Sequence, residues 1–389
     1  MLAVKLIFWI SIFLLFYTYI GYPVLLYLLS LLRKSEIITD ENYHPTVSLI
    51  IAAYNEEVVI ESKIKNSLNL DYPKDKLEII VFSDASTDKT DEIVKSYENQ
   101  GIKLIRIEGR KGKTFCQNEA TKIAKGEIVV YSDANSMYKQ DAIKKIIRNF
   151  ADNTVGCVIG ELQYQISNNE ENKSVAGEGI YWQYEQFIKR IESKISSPAG
   201  GNGAIYAIRK SLFESLPPEA QEDFVRPLRV VQKGYRVIYE SEAVAWENTT
   251  TESAKEFHRR VRMVTQAVYS LFKDKNLLKL LNPLKYGFFT LQLFSHKILR
   301  WFSGVFIFLL LLSSLLLTGR GRIYDLALIT QVSFYLLALC GAIYELRFNR
   351  YAPKLFHIAF YFCLSCYAML KGLLKGLKGQ TLIAWEPSR

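Results

Sequence analysis

The stretch Glu127-Ile-Val-Val-Tyr-Ser-Asp133-Ala-Asn135 decides how the rest of the chain reads. Its apolar run, Ile128 to Tyr131, predicts a buried strand. The run ends in two polar acceptors, Asp133 and Asn135, separated by Ala134. On an extended segment, positions i and i+2 point the same way. Two oxygen ligands facing one way at the open end of a strand can hold a hard divalent cation and, through it, a diphosphate. A strand followed by an Asx turn is the plainer reading, because both residues are ordinary turn formers. The surrounding sequence favours a site.

Outward from this stretch, three more short β-rich runs alternate with helical patterns. Val47-Ser-Leu-Ile-Ile-Ala-Ala53 ends in Tyr54-Asn-Glu-Glu57, and a helical pattern follows to about residue 68. Leu77-Glu-Ile-Ile-Val-Phe82 ends in Ser83-Asp-Ala-Ser-Thr-Asp88, and Asp88 also suits the N-cap of the next helix. Residues 102–107 read as a strand and residues 113–124 as a helix. Strands alternating with helices predict an α/β fold with a parallel sheet and crossover helices. Ligands in such sheets bind beyond the carboxyl ends of the strands. Asn55-Glu56-Glu57, Asp84 to Asp88 and Asp133-Ala-Asn135 all fall at those ends, and this convergence argues for a site.

Downstream the pattern loosens. Residues 155–164 read as a strand pair and residues 180–195 as a helix with Tyr181, Trp182, Tyr184 and Glu185. A glycine-rich loop, Gly200-Gly-Asn-Gly203, enters a further strand. Pro217-Pro218 precedes Glu222-Asp223, and residues 226–233 read as helical. Residues 235–239 and 243–246 read as two strands, and residues 253–272 as a helix carrying Arg259, Arg260 and Arg262.

Composition separates the ends from the middle. The chain has 389 residues, enough for two or three domains, with both ends strongly apolar and the middle charged. Residues 6–32 are long enough to cross a bilayer, and Arg33-Lys34 directly after them orient the following domain to the cytosol. Residues 284–300 carry Lys285, His296, Lys297 and Arg300 and read as amphipathic and interfacial. Residues 301–318, 325–344 and 355–370 read as about three spans before a basic tail. The net charge of +10 fits a phosphorylated substrate or an anionic membrane surface. Spans and acidic strand ends argue against nucleic acid. The five cysteines have no metal spacing, and Cys363-x-x-Cys366 sits in an apolar helical run, so packing explains it.

Together these motifs resemble the membrane-bound inverting glycosyltransferases of family 2, which include cellulose, hyaluronan and poly-N-acetylglucosamine synthases. The carrying residues are Val47 to Glu57, Ser83-Asp84-Ala-Ser-Thr-Asp88, Gly112-Lys113 with Asn118, Ser132-Asp133-Ala-Asn135, Glu222-Asp223 and Arg259-Arg-Val-Arg262. The resemblance implies a GT-A domain, a Rossmann-like fold for nucleotide-diphospho-sugar transfer, over residues 44–272. A transmembrane helix within residues 1–34 would precede it. The interfacial helix at 284–300, spans within 301–371 and a tail at 372–389 would follow.

The resemblance also implies roles. Ala53, Tyr54, Glu56 and Glu57 would frame the nucleotide, and Asp84 would accept a hydrogen bond from its base or ribose. Lys113, Arg259 and Arg262 would meet the diphosphate. Asp133, with Asn135, would ligate Mg²⁺ or Mn²⁺; the family usually has Asp at the second position. Asp223 would be the general base that deprotonates the acceptor hydroxyl. Trp182, Gly201, Asn202 and Glu222 are expected along the acceptor path. The implied function is transfer from a nucleotide-diphospho-sugar, a UDP-sugar foremost, to a glycan or lipid-linked acceptor at the bilayer. A processive polymer synthase is the alternative, though Met263 stands where processive synthases carry Trp. A non-catalytic nucleotide-sugar-binding scaffold is the alternative of another class.

Overall fold

The computed structural model describes residues 1–33, 36–165, 175–248, 253–348 and 352–381. Eight strands form one sheet: β1 (Val47–Ala53), β2 (Leu77–Asp84), β3 (Ile102–Ile107), β4 (Ile128–Asp133), β5 (Met137–Tyr138), β6 (Val155–Gln165), β7 (Ile205–Arg209) and β8 (Arg236–Asn248). Their order is β3-β2-β1-β4-β7-β6-β8-β5. The four amino-terminal strands β3-β2-β1-β4 are parallel, as the alternation predicts. β7 then runs antiparallel to both β4 and β6, so the sheet as a whole is mixed.

Helices cover both faces. After the amino-terminal helices α1 (Leu2–Phe16) and α2 (Tyr22–Leu32), which pack away from the sheet, the helices in chain order are α3 (Ile60–Leu68), α4 (Thr90–Lys95), α5 (Lys113–Ile123), α6 (Ala142–Ile147), α7 (Val175–Ile195), α8 (Glu222–Gln232) and α9 (Ser253–Lys273). β1 is buried along its whole length, as a central strand covered on both sides must be. Its alternate residues divide between two cores. Ile50 and Ala52 pack with Cys116 and Ala120 of α5, and Leu49 and Ile51 pack with Ile60 and Ile64 of α3. Truncating Ile50 to Ala would cost about 2–5 kcal/mol, by lost transfer energy plus the cavity left behind.

Three expected elements differ. Residues 155–164 are not a strand pair but one long strand, β6. The expected strands 235–239 and 243–246 are one strand, β8, broken by a bulge: Gly160 pairs with Glu240 while Glu161 pairs with Val244. The helix expected at 226–233 starts earlier, at Glu222. Pro227 argues for a boundary from sequence. The helix instead begins five residues before it, with Glu222 and Asp223 in its dipole-favoured first turn.

Three helices are long and apolar enough to cross a membrane: Leu2–Leu32, Arg322–Phe348 and Lys354–Leu377. A fourth candidate is the pair Phe288–Trp301 and Ser303–Leu316, bent by 57°. Leu2–Leu32 is continuous but contains a π-helical turn at Tyr17–Gly21. Phe8 packs with Leu317 and Tyr324, while Tyr22 and Leu26 pack on Ile188 and Ile191 of α7. One end of this helix therefore touches the α/β domain and the other touches the Leu317–Tyr324 turn. Residues 284–300 are expected to be amphipathic and interfacial. His296 and Arg300 are instead buried, turned toward Glu185 and Glu192 of α7. The carboxylates recover the desolvation that lipid would impose. The end of the basic tail, residues 382–389, lies outside the described residues, and residues 371–377 continue the last helix.

Candidate active site

Parallel register brings the strand ends together. Ala53 pairs with Ser83, and Ala52 with Asp133, so β1, β2 and β4 end along one edge. Beyond that edge lies a cavity of about 330 Å³. Among the anticipated residues, Glu56, Lys113, Asp133, Asn135, Trp182, Gly201, Asn202, Glu222, Asp223, Arg259 and Arg262 line it. Ala53, Tyr54, Glu57 and Asp84 do not.

Lys113 is the hub. It is the first residue of α5, following Gly112 at φ +89°. Its Nζ lies 2.6 Å from Asp133 Oδ1 and 3.0 Å from Glu222 Oε1. Burial disfavours the ammonium, but Asp133 and Glu222 outweigh it and hold the Lys113 pKa well above the ordinary lysine value.

The acid pair divides its work. Glu222 is buried, pairs with Lys113 and accepts a hydrogen bond from Thr114 Oγ1 at 3.3 Å. No side chain among the described residues pairs with the Asp223 carboxylate, which faces the cavity. Burial first, and Glu222 second, raise the Asp223 pKa above the usual aspartate value. A Cβ at Gly203 would lie 3.5 Å from Asp223 Oδ2 and 3.7 Å from Asp133 Oδ2. Because residue 203 is glycine, both carboxylates border the same small void.

The cavity lining offers a hard cation a carboxylate of Asp133, whose Oδ1 is paired with Lys113, and the side-chain amide of Asn135. Among the described residues no three His, Cys, Asp or Glu side chains converge as a metal cage. Such a donor set suits Mg²⁺ or Mn²⁺ held by one carboxylate, with a substrate diphosphate supplying the remaining ligands.

The residues outside the cavity secure its loops. Asp84 is fully buried, and its oxygens accept from the backbone N–H groups of Lys111, at 2.7 Å, and Gly112, at 3.0 Å. Asp84 thereby holds the turn that leads to Lys113, and each of its oxygens keeps a second accepting position. In the same turn Arg110 lies 3.2 Å over the Tyr54 ring. Asn55, at φ 51°, accepts from Thr87 N–H through Oδ1 at 2.8 Å. Glu57 accepts from Lys89 N–H at 3.1 Å.

α9 carries the arginines. Arg259 and Arg260 both pair with buried Glu256. Arg262 has no ion pair or hydrogen bond among the described residues, and burial together with Arg259 lowers its pKa. It is the arginine of this helix left to meet an anion. Trp182 donates its Nε1–H to the Leu162 carbonyl at 2.6 Å, which fixes its ring at the cavity wall.

Other lining residues carry no sequence signal. Glu247 of β8 accepts from Ser136 Oγ beside Asp133, and burial followed by Asp133 raises its pKa. Buried Lys63 donates to the Ser136 carbonyl and sits 3.8 Å over the Tyr138 ring. Burial lowers its pKa to about 7. Lys63 thus braces the turn that carries Asp133 and Asn135. Lys189 and Lys297 also line the cavity. A helical lysine at ordinary spacing reads as a solvated face, so only the fold could reveal these residues.

Residues 48–216 match the family described as Glycosyl transferase family 2. The chain is 30% identical over 271 residues to the Probable glycosyltransferase YdaM of Bacillus subtilis, covering 64% of this chain and 63% of that one. It is 24% identical over 356 residues to a Methanococcus voltae protein, covering 85% of this chain and 98% of that one. That protein is named Dolichyl N-acetyl-alpha-D-glucosaminyl phosphate 3-beta-D-2,3-diacetamido-2,3-dideoxy-beta-D-glucuronosyltransferase. Among solved structures, the mannosyltransferase PcManGT of Pyrobaculum calidifontis, in complex with GDP-Man and Mn²⁺, shares the fold. The TM-score is 0.71 at 23% identity, over 95% of this chain and 99% of that one.

Proposed function

We propose that the chain, whose residues 48–216 match Glycosyl transferase family 2, transfers a sugar from a nucleotide-diphospho-sugar, with inversion, to a lipid-linked or glycan acceptor at the membrane. The observation that carries this reading is the convergence at Gly203 of Lys113, Asp133 and the unpartnered Asp223 carboxylate, within 3.2–3.7 Å of where a Cβ would stand. An inverting displacement needs a leaving-group stabiliser and a base on opposite sides of the anomeric carbon, and no covalent intermediate.

In this reading Asp133, Lys113 and Arg262 hold the donor diphosphate. A divalent cation on Asp133 and Asn135 would offset the charge that grows on the leaving nucleoside diphosphate. Lys113 keeps Glu222 ionised and turned away from the acceptor. Asp223 takes the proton from the acceptor hydroxyl as that oxygen attacks. Its raised pKa makes it a stronger base than an ordinary aspartate. Arg262 stays charged in its partly dry site and completes the diphosphate clamp.

Single additions fit better than processive synthesis, because Met263 lines the cavity where processive synthases carry an aromatic residue. The helix arrangement supports a topology as well. Leu2–Leu32 crosses toward a cytosolic catalytic domain, Ser303–Leu316 crosses outward and Arg322–Phe348 returns. Lys354–Leu377 then lies against α9 on the cytosolic side, with Gly376 next to the Thr265 carbonyl. The basic carboxyl-terminal residues come to the cytosolic face, where positive charge is favoured.

The test is a donor panel: purified full-length protein, UDP- and GDP-sugars, and Mg²⁺ or Mn²⁺, with nucleoside diphosphate release as the readout. Release that depends on Asp223 supports the proposal. Donor binding without turnover across donors and acceptors would favour a scaffold instead.

A further inference from the structure

We propose that Lys189 and Lys297 form a seat for a phosphate group carried by the acceptor, on the membrane side of the transfer centre. This rests on the assignment of sugar transfer to the same cavity. Lys189, on α7, is buried and donates to the Gly201 carbonyl at 3.0 Å. Among the described residues no carboxylate lies within ion-pair distance of it. Lys297 comes from the bent pair Phe288–Trp301 and Ser303–Leu316. Its Cε would lie 3.6 Å from a Cβ at Gly200. Two ammonium-bearing chains, one from the catalytic domain and one from the membrane-associated segment, thus back onto consecutive glycines.

Neither charge is well neutralised. The closest carboxylate to Lys297 is Glu185, at 3.8 Å. That carboxylate already holds Arg300 and His296. Burial first, and Lys297 second, lower the Lys189 pKa to about 7, with Asp223 opposing the shift. Two like charges on a cavity wall are costly to keep together, and an anion between them removes the cost. The donor diphosphate has other cations, Lys113 beside Asp133 and Arg262 on α9. Gly201 N–H bonds to the carbonyl of Asp223 at 2.7 Å, so the seat adjoins the base. An anion there belongs to the molecule whose hydroxyl Asp223 deprotonates. Lys297 sits on an apolar segment, so that molecule enters from the bilayer level. A lipid-linked glycosyl phosphate and a soluble sugar phosphate share this chemistry.

The test uses the full-length protein in nanodiscs with Mn²⁺, the donor it consumes, and three acceptors bearing one sugar. These are a polyisoprenyl-phosphate-linked glycoside, the free sugar 1-phosphate and an uncharged dodecyl glycoside. The wild type should prefer both phosphate-bearing acceptors over the dodecyl glycoside by about tenfold or more in kcat/KM. Preference for the polyisoprenyl compound over the sugar phosphate identifies the lipid as the source; equal use identifies the soluble phosphate. Lys189→Gln and Lys297→Gln should each erase the charged-over-uncharged preference through KM, and Lys189→Arg should retain it. A general folding defect lowers all three acceptors equally and leaves the ratio intact, which would count against the seat. Wild-type use of the dodecyl glycoside as efficiently as the phosphate-bearing pair, or of neither phosphate-bearing acceptor, overturns the proposal without any variant. Failure to consume any donor is a separate result and defeats the underlying reading of function.

Discussion

The backbone N–H of Gly201 donates to the backbone carbonyl of Asp223 across 2.7 Å. That carbonyl is free because the residue four positions on is Pro227, which has no N–H to close the helical bond. A residue that would ordinarily disturb a helix thereby ties the glycine-rich loop to the base. A Cβ at position 201 would stand 2.5 Å from the same oxygen. Gly201→Ala must therefore move either the loop or the first turn of α8. Turnover should fall by about 10²-fold, as ångström-scale misplacement does. Wild-type turnover in this variant would show that the link does not position Asp223.

Asp223→Asn should lower transfer by about 10²–10⁴-fold while donor affinity, measured by titration calorimetry, stays close to wild type. The variant should also melt higher at neutral pH, by about 2–4 °C for each 1 kcal/mol gained. The sign follows from the raised pKa. An aspartate that binds its proton more tightly when folded favours the folded state at low pH. That advantage fades as pH rises from the unfolded pKa through the folded one, so the ionised wild type carries the cost at neutral pH. The same shift places the acidic limb of the wild-type pH–rate profile above the ordinary aspartate pKa. A limb at the ordinary value or below would contradict the assignment.

Asp133→Ala should abolish the dependence of turnover on Mg²⁺ or Mn²⁺ together with most of the turnover itself. Asn135→Ala should leave metal titration curves nearly unchanged, since an amide contributes a dipole but no charge. If both variants shifted the metal requirement equally, the two side chains would be equal ligands.

Lys113→Met leaves Asp133 and Glu222 facing each other without their shared cation. The expected result is a lower melting temperature at pH 8, recovered in part at pH 5 as one carboxyl takes up a proton. A melting temperature lowered equally at both pH values would mean that Lys113 matters by packing rather than by charge.

The last apolar helix packs on α9 through small residues. A Cβ at Gly376 would lie 2.8 Å from the Thr265 carbonyl, and one at Gly372 would lie 2.7 Å from Val264 Cβ. Gly376→Leu should separate the two helices and lower the melting temperature in detergent. Because Arg262 is on α9, donor KM should rise in the same variant. A stable variant with unaltered KM would uncouple this helix from the site.

The sequence by itself determined the parallel half of the sheet and the identity of the strand-end residues. Period-two burial and apolar runs are local, so β1 and β3 can be bounded to the residue from pattern alone. The acidic motifs are likewise local, and Asp133 and Asp223 stand out as candidates without any coordinates. Only the tertiary structure decided their division of labour. Glu222 and Asp223 are neighbours of one chemistry, and nothing local says that Lys113 and Thr114 occupy the first and leave the second open. Asp84 matches a nucleotide-binding motif, and only the fold shows that it also holds backbone groups 27 and 28 residues on. Lys189 and Lys297 are 108 positions apart and meet only because a membrane-associated segment folds onto α7. A buried charge is defined by what surrounds it, and its surroundings come from distant parts of the chain; that is the physical reason these residues are silent in the sequence.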